Sequence, residues 1–329
     1  MRNKSLVYIS IFISIIYFSS CRNKVKVEVN EKDFYLTQTE TENIDKIIMS
    51  DKDGNIITLE KEEKWILNSK YSVMEHQIER TLEVMKDLRI KSSVSEAMTE
   101  FVLQNIATKG VKVEIFEGEK KIKSYYIGGN TSNHDGTYMI MENAENAYVM
   151  HMPTRPNDLL AAKYGIELIS VNQNAWRERI RINISPEEIS KVKVIDFINK
   201  EQSYIINIEN KTLTDFENNE IFIDSIGYHT FASFFSNLKC GEYKPDLDPK
   251  DFIMIKKIYI TNNNQTDSLI IYDKSAIQKT QKEFSGSTVS FYAQWNNSDI
   301  VIIQNYIFNK VLITLDEIKK QNYIKTSSM

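Results

Sequence analysis

The sequence predicts an α+β protein: two similar strand-rich units, each an antiparallel sheet with a helix packed on one face. Three observations carry this. An order of strands, one helix and then more strands occurs twice, roughly 145 to 150 residues apart. Many short segments alternate apolar and polar residues between turn residues, which is the period of a half-buried strand. The composition also suits strands, with 15 Phe and 17 Tyr against only 10 Gly and 5 Pro, because aromatic side chains pack well on pleated surfaces.

Residues 1–20 stand apart as a signal peptide. Arg2 and Lys4 give a positive start, and Leu6 to Phe18 is apolar apart from Ser10, Ser14 and two tyrosines. That run has the length of a secretory h-region and falls short of the about 20 residues a bilayer span needs. Ser19 and Ser20 precede Cys21, which resembles the bacterial lipobox, with Phe18 where that pattern prefers leucine. The resemblance implies that Cys21 is lipidated, by palmitate among other chains, and becomes the first residue of the mature chain. The competing reading is an uncleaved signal anchor with a free Cys21. Residue 22 is Arg rather than Asp. By resemblance to bacterial sorting rules, this argues against retention at the inner membrane. The expected location is therefore the cell envelope, anchored to the outer membrane and facing the periplasm.

Removing residues 1–20 takes two basic residues and no acidic ones, so 41 Lys+Arg against 45 Asp+Glu becomes 39 against 45, a net charge of −6. A mildly acidic chain has no electrostatic reason to bind nucleic acid. Cys240 is the only other cysteine, so no intramolecular disulfide can form in an oxidising compartment. Stability must come from apolar burial, and a chain of about 310 residues is long enough for two cores.

Residues 21–40 are polar and charged, with Val25, Val27 and Val29 alternating, and read as a tether. The first unit spans 41–156. In it "IDKIIMSDKDGNIITLEKEEKWIL" reads as a strand pair turning at Asp53-Gly54 and ending on Trp65. A helix follows from about Val73 to Leu88. Ser72 and Glu75 match a capping box, and Met74, Ile78, Leu82, Met85 and Leu88 recur at helical spacing. Four short strands close the unit: "GVKVEIFEG", "KIKSYYIGG", "GTYMIMEN" and "NAYVMHMP". Residues 157–186 read as a connecting segment. The second unit, 187–329, repeats the pattern. "ISKVKVIDF" and "SYIINIEN" pair, "DSIGYHTFASFFSNLK" supplies a helix striped by Phe231, Phe234, Phe235 and Leu238, and four strands follow.

These features together resemble a family: the lipobox, the first strand pair, "WRERIRINISPEEISKVKVI" and "FFSNLKCGEY". The chain is similar, over about residues 40 to 315, to Bacteroidota lipoproteins of the domain of unknown function 4340 family. The resemblance implies an association with transporter components of the gliding-motility type. It carries over no catalytic residue.

Two segments stand out as binding candidates. "IGGNTSNHDGTYM", Ile127 to Met139, gathers Gly, Asn, Thr, His and Asp in one loop, with Asn130 and His134 the residues placed to meet a ligand. Its flanks read as strands, so the principal reading is a hairpin turn. "WRERIRI" places Trp176, Arg177, Arg179 and Arg181 close together. As a strand it would set the three arginines on one face, a patch for an anionic partner or lipid headgroup. The equal alternative is an edge strand guarded by charge.

The remaining residues read blandly. His76, His134, His151 and His229 show no metal-ligand spacing. Cys240 follows the second helix, with Gly241 as a helix-ending glycine. Asp246, Asp248 and Asp251 in "DLDPKD" lack the glycine and terminal Glu of an EF-hand. No catalytic, metal or cofactor site is expected. The functional expectation is a non-enzymatic, periplasm-facing lipoprotein, tethered to the membrane through lipidated Cys21. It would act as an accessory or scaffold component of an envelope protein complex, transporter-associated by resemblance. The alternative is a lipid- or glycan-binding carrier using a cleft between the two units.

Overall fold

The computed structural model describes residues 29–156, 158–167, 170–223, 225–263, 265–274 and 290–326. The expected signal peptide and Cys21 lie outside these residues. The chain divides into two compact units, residues 1–177 and 178–329.

In the first unit the strands are β1 (Lys46–Ser50), β2 (Ile56–Lys61), β3 (Trp65–Leu67), β4 (Tyr71–Ser72), β5 (Arg89–Ser93), β6 (Val111–Glu117), β7 (Lys120–Asn130), β8 (Thr137–Met141) and β9 (Tyr148–His151), followed by the small pair β10 (Ile166–Glu167) and β11 (Ser170–Val171). Its helices are α1 (Gln38–Asn43), α2 (Glu75–Asp87), α3 (Glu96–Lys109) and α4 (Leu160–Lys163). The nine-stranded sheet has the order β4-β3-β2-β1-β6-β7-β8-β9-β5, with every pairing antiparallel.

Alternation decides which side chains point inward. Ile47 and Met49 of β1, Val113 and Ile115 of β6, and Tyr125 and Ile127 of β7 are all at most 1% exposed. The stripe of α2 covers them: Ile78, Met85 and Leu88 are buried. Two polar residues on that helix are buried as well. Gln77 Nε2 and Thr81 Oγ1 both donate to the Lys163 carbonyl, at 3.0 and 2.7 Å, so their burial leaves no unpaired donor. The Ser72–Glu75 capping box is not formed. The helix begins at Glu75 with Met74 as its N-cap residue, because Ser72 is paired to Ile66 in the sheet and Val73 bridges to Arg177.

The edges of this unit differ from the expected boundaries. Phe34 and Leu36 are 0% and 2% exposed in its core, and the Leu36 N–H bonds the Met85 carbonyl at 2.9 Å. So the stretch expected as tether up to residue 40 is folded from these residues onward. Leu160, Tyr164 and Trp176 also fill this core. The connecting segment expected at 157–186 is thereby divided: its first part closes one core, and Ile182 joins the other.

The second unit contains β12 (Ile180–Asn183), β13 (Ile189–Asp196), β14 (Tyr204–Asn207), β15 (Thr212–Asp215), β16 (Glu220–Ile221), β17 (Asn237–Lys239), β18 (Tyr243–Lys244), β19 (Met254–Asn262), β20 (Gln265–Tyr272), β21 (Ser290–Trp295) and β22 (Ile300–Gln304). Its helices are α5 (Ser225–Phe235), α6 (Asn305–Phe308) and α7 (Leu315–Thr326). The large sheet has the order β16-β15-β14-β13-β19-β20-β21-β22-β18, which repeats the first position for position. Phe231 and Phe235 of α5 share one core with Val192, Val194, Ile258 and Ile260. The helix stops at Phe235 rather than running on through Leu238, because residues 237–239 pair with β12. Lys256 and Asp196 form a buried pair at 3.4 Å, and the Lys256 ammonium also donates to the Leu312 carbonyl at 3.0 Å.

Candidate functional site

Within the Trp176–Arg181 segment, Trp176 and Arg177 are buried, so they do not belong to the expected surface patch, while Arg179 and Arg181 are half-buried. A 3-10 turn, Gln173–Ala175, delivers Trp176 into the first core, where it is 0% exposed. Gly165 permits this, since a Cβ there would lie 2.5 Å from the indole nitrogen. The Trp176 carbonyl accepts the Met74 N–H at 2.8 Å. Arg177 is 3% exposed, with its guanidinium 3.8 Å from the Tyr71 ring centroid. A guanidinium is weakly hydrated and planar, so it stacks on an aromatic face at low desolvation cost.

Arg179 and Arg181 belong to the second unit. The Arg179 carbonyl accepts the Cys240 N–H at 2.9 Å. Arg181 donates to the Tyr243 hydroxyl at 3.1 Å and lies 5.9 Å from the Trp295 ring. The strand starts only at Ile180, so the three arginines do not share one strand face.

The Ile127–Met139 loop is a hairpin connection, as its glycines and Asn-His-Asp-Gly imply. The register slips between Ile127 and Asn130, a bulge in β7. Thr131 Oγ1 accepts the N–H groups of Asp135 and Gly136 at 3.2 and 3.1 Å. His134 takes a positive φ of 57° at the exposed tip. Asp135 pairs with Lys91, and that hydrogen bond holds its carboxyl below the usual range. So His134 and Asp135 are neighbours without forming a dyad. The Asn130 carbonyl oxygen accepts the Thr137 hydroxyl at 2.8 Å.

A pocket of about 170 Å³ opens beside that bulge, between α3 and the β7–β8 pair. Phe101 and Ile106 form one wall, Gly128 and Gly129 the floor, and Lys109 and Asn130 the polar rim. No strand or loop pattern in the sequence announces helix α3, so only Asn130 of this lining is a sequence candidate. A second pocket of about 450 Å³ lies along α2 and is charged. Its charges answer one another: Arg155 pairs with Glu83 at 2.8 Å and Lys163 with Asp158 at 2.7 Å.

The other sequence candidates fall as follows. His76 lines the charged pocket. His151 ends β9. His229 Nε2 meets Glu187 at 2.9 Å; hydrogen bonds from Ser185 and His229 hold that carboxyl at about 2. Cys240 is buried and unpaired with any other cysteine, and burial pushes its thiol up. Gly241 does not end a helix, since Cys240 follows β17. A Cβ on Gly241 would lie 2.9 Å from the Ile302 carbonyl oxygen. Asp248 caps the turn Pro249–Asp251 by accepting the Lys250 N–H at 3.0 Å. Among the described residues no three His, Cys, Asp or Glu side chains converge as metal ligands. Among them, too, no helix is long and apolar enough to cross a membrane.

Comparison with known protein families matches the chain to a family of unstated activity. The family described as Domain of unknown function (DUF4340) covers residues 65–252, more than half of the 329-residue chain and a narrower span than the resemblance drawn from sequence. No match is found among curated proteins or among solved structures.

Proposed function

The chain belongs to the DUF4340 family, and from that premise we propose that it is a non-enzymatic lipoprotein of the cell envelope, an accessory or scaffold component of a transporter-associated complex. The observation that carries the proposal is the amino-terminal sequence. A basic start, an apolar run and Ser19-Ser20-Cys21 supply what a lipid-attachment signal requires. Several acyl chains on Cys21 would anchor the body firmly, because each buried CH2 contributes about 0.8 kcal/mol. Arg22 favours an outer-membrane destination with the body facing the periplasm.

The electrostatics of the body support a binding rather than a catalytic role. A carboxylate that serves as a general acid or base is tuned upward toward neutrality. Here the shifts run the other way among the described residues. For Glu142, burial alone would raise the pKa, but hydrogen bonds from Lys112 and Lys121 outweigh it and hold the group at about 2. Asp51 behaves alike, with Asn55 and Ser170 as donors. Glu114 and Asp158 are also lowered by lysine partners. Their partners hold these carboxylates ionised at neutral pH.

The test is metabolic labelling with an alkyne fatty acid, followed by envelope fractionation and in-cell crosslinking, on wild type and Cys21→Ala. The proposal expects label on the wild type only, and membrane partners that disappear with the label. Equal labelling of both proteins, or an unlabelled wild type, would refute the anchor. Labelled protein without any crosslinked partner would refute the complex.

A further inference from the structure

The geometry points to the pocket between α3 and the β7 bulge as a binding site for a small aryl carboxylate. The site lies wholly within the first unit and stands independently of the envelope role. Its size selects one ring: an apolar cavity of about 150 Å³ holds benzene, and this pocket offers about 170 Å³. Its walls suit a ring. Phe101 is 58% exposed and stands at the mouth, while Val102 and Ile106 are buried behind it.

The rim selects the charge. Lys109 is the only charged side chain lining the pocket, and no Asp or Glu lines it. A carboxylate therefore gains a cation without meeting a competing anion. Asn130 fixes the orientation of its own amide. Its carbonyl oxygen is taken by the Thr137 hydroxyl, which leaves the NH2 to donate to the ligand. Asn105, one turn before Lys109, donates one amide N–H to the Phe101 carbonyl at 2.9 Å, which leaves its second N–H as a further donor.

Two adjacent glycines shape the space, each for a different reason. A Cβ on Gly128 would meet Ile106 at 2.7 Å, so that glycine lets the helix approach. Gly129 also lines the pocket, and a Cβ there would meet nothing within 4 Å, so a side chain can be added at that position without a backbone clash. On the second unit's sheet, Phe252 packs on Tyr292 at 4.9 Å between ring centroids.

The experiment titrates the purified full-length chain with phenylacetate, and with benzylamine as the cationic counterpart, by calorimetry and ligand-observed NMR. Wild type, Gly129→Leu and Lys109→Gln are compared, and thermal unfolding confirms that each is folded. The expected result is saturable phenylacetate binding that Gly129→Leu abolishes by filling the pocket. Lys109→Gln should weaken it about tenfold, the value of one charge-assisted hydrogen bond. Benzylamine should not compete. The proposal is overturned by no saturable binding up to about 10 mM, by binding unchanged in either variant, or by benzylamine binding as tightly as phenylacetate.

Discussion

The two units share one strand order but finish the outer faces of their sheets differently. In the first, residues 94–110 hold the helix α3, which lays Val102 and Ile106 over Tyr126, Tyr138 and Ile140. In the second, the corresponding stretch is a loop with the short turn Pro249–Asp251. Leu247 and Phe252 there cover Ile270, Tyr272 and Ile300. A full helix over a bulged strand leaves a pocket; a folded-back phenylalanine sits directly on the sheet. The inward faces of both units follow the same alternation and hold the fold, and the segment between the fifth and sixth strands of the large sheet sets what each surface can do.

That contrast can be broken most severely at the cores. Trp176 and Trp295 are 0% and 2% exposed, and each belongs to the core of one unit only. Replacing either with Ala should cost about 3–5 kcal/mol. Hydrogen exchange read segment by segment should show Trp176→Ala deprotecting 29–177 and Trp295→Ala deprotecting 178–326. Equal deprotection of both regions by one substitution would show that the two cores unfold as one.

A smaller loss is expected at Gly165, which has a positive φ of 63° beside Trp176. Gly165→Ala combines left-handed strain of about 1–2 kcal/mol with a clash against the indole. A urea midpoint should fall with the slope unchanged, while Gly129→Ala, which meets open space, should leave it in place. The outer faces can then be compared directly. Phe252→Ala removes ring contacts with Tyr272 and Tyr292, each worth about 0.5–1.5 kcal/mol. Phe101→Ala, at the pocket mouth, should change stability by less than about 0.5 kcal/mol. Thermal unfolding of the two variants distinguishes them.

The smallest effect is acid sensitivity. Asp51 and Glu142 lie in the first unit with folded pKa values of about 2. A depressed carboxylate stabilises above its unfolded pKa of about 4, and that stabilisation is lost as pH falls through the folded value. The first unit should therefore weaken between pH about 4 and about 2, by roughly 1 kcal/mol per group because both are partly solvated. Exchange protection in 29–177 at the two pH values checks it, and Asp51→Asn should flatten the dependence.

Much of the core was legible because pleat and helix periods are local properties. The alternation of Val192 and Val194 marks one face of their strand, and helical spacing groups Ile78 with Met85, whereas the adjacent Tyr125 and Tyr126 leave the inward face of β7 to be chosen by packing. Helix α3 carries no clean stripe, because its apolar residues are spread around the helix: Met98 and Phe101 stay exposed while Val102 and Ile106 are buried. The Ser72 capping signal was overridden by strand pairing. The end of α5 was set by the partner strand β12. In each case backbone groups found a distant partner that no local motif announces.

By itself the sequence determined the α+β class, the twofold order of elements and the hairpin at Asn130 to Asp135. Each of these rests on residues near one another in the chain. Only the tertiary structure decided that Trp176 and Arg177 are buried rather than displayed, and that Lys109 and Asn130 share the rim of one pocket. Burial and convergence depend on what packs from far along the chain, and in an aromatic–arginine segment the same residues can serve a surface or a core with nearly equal ease.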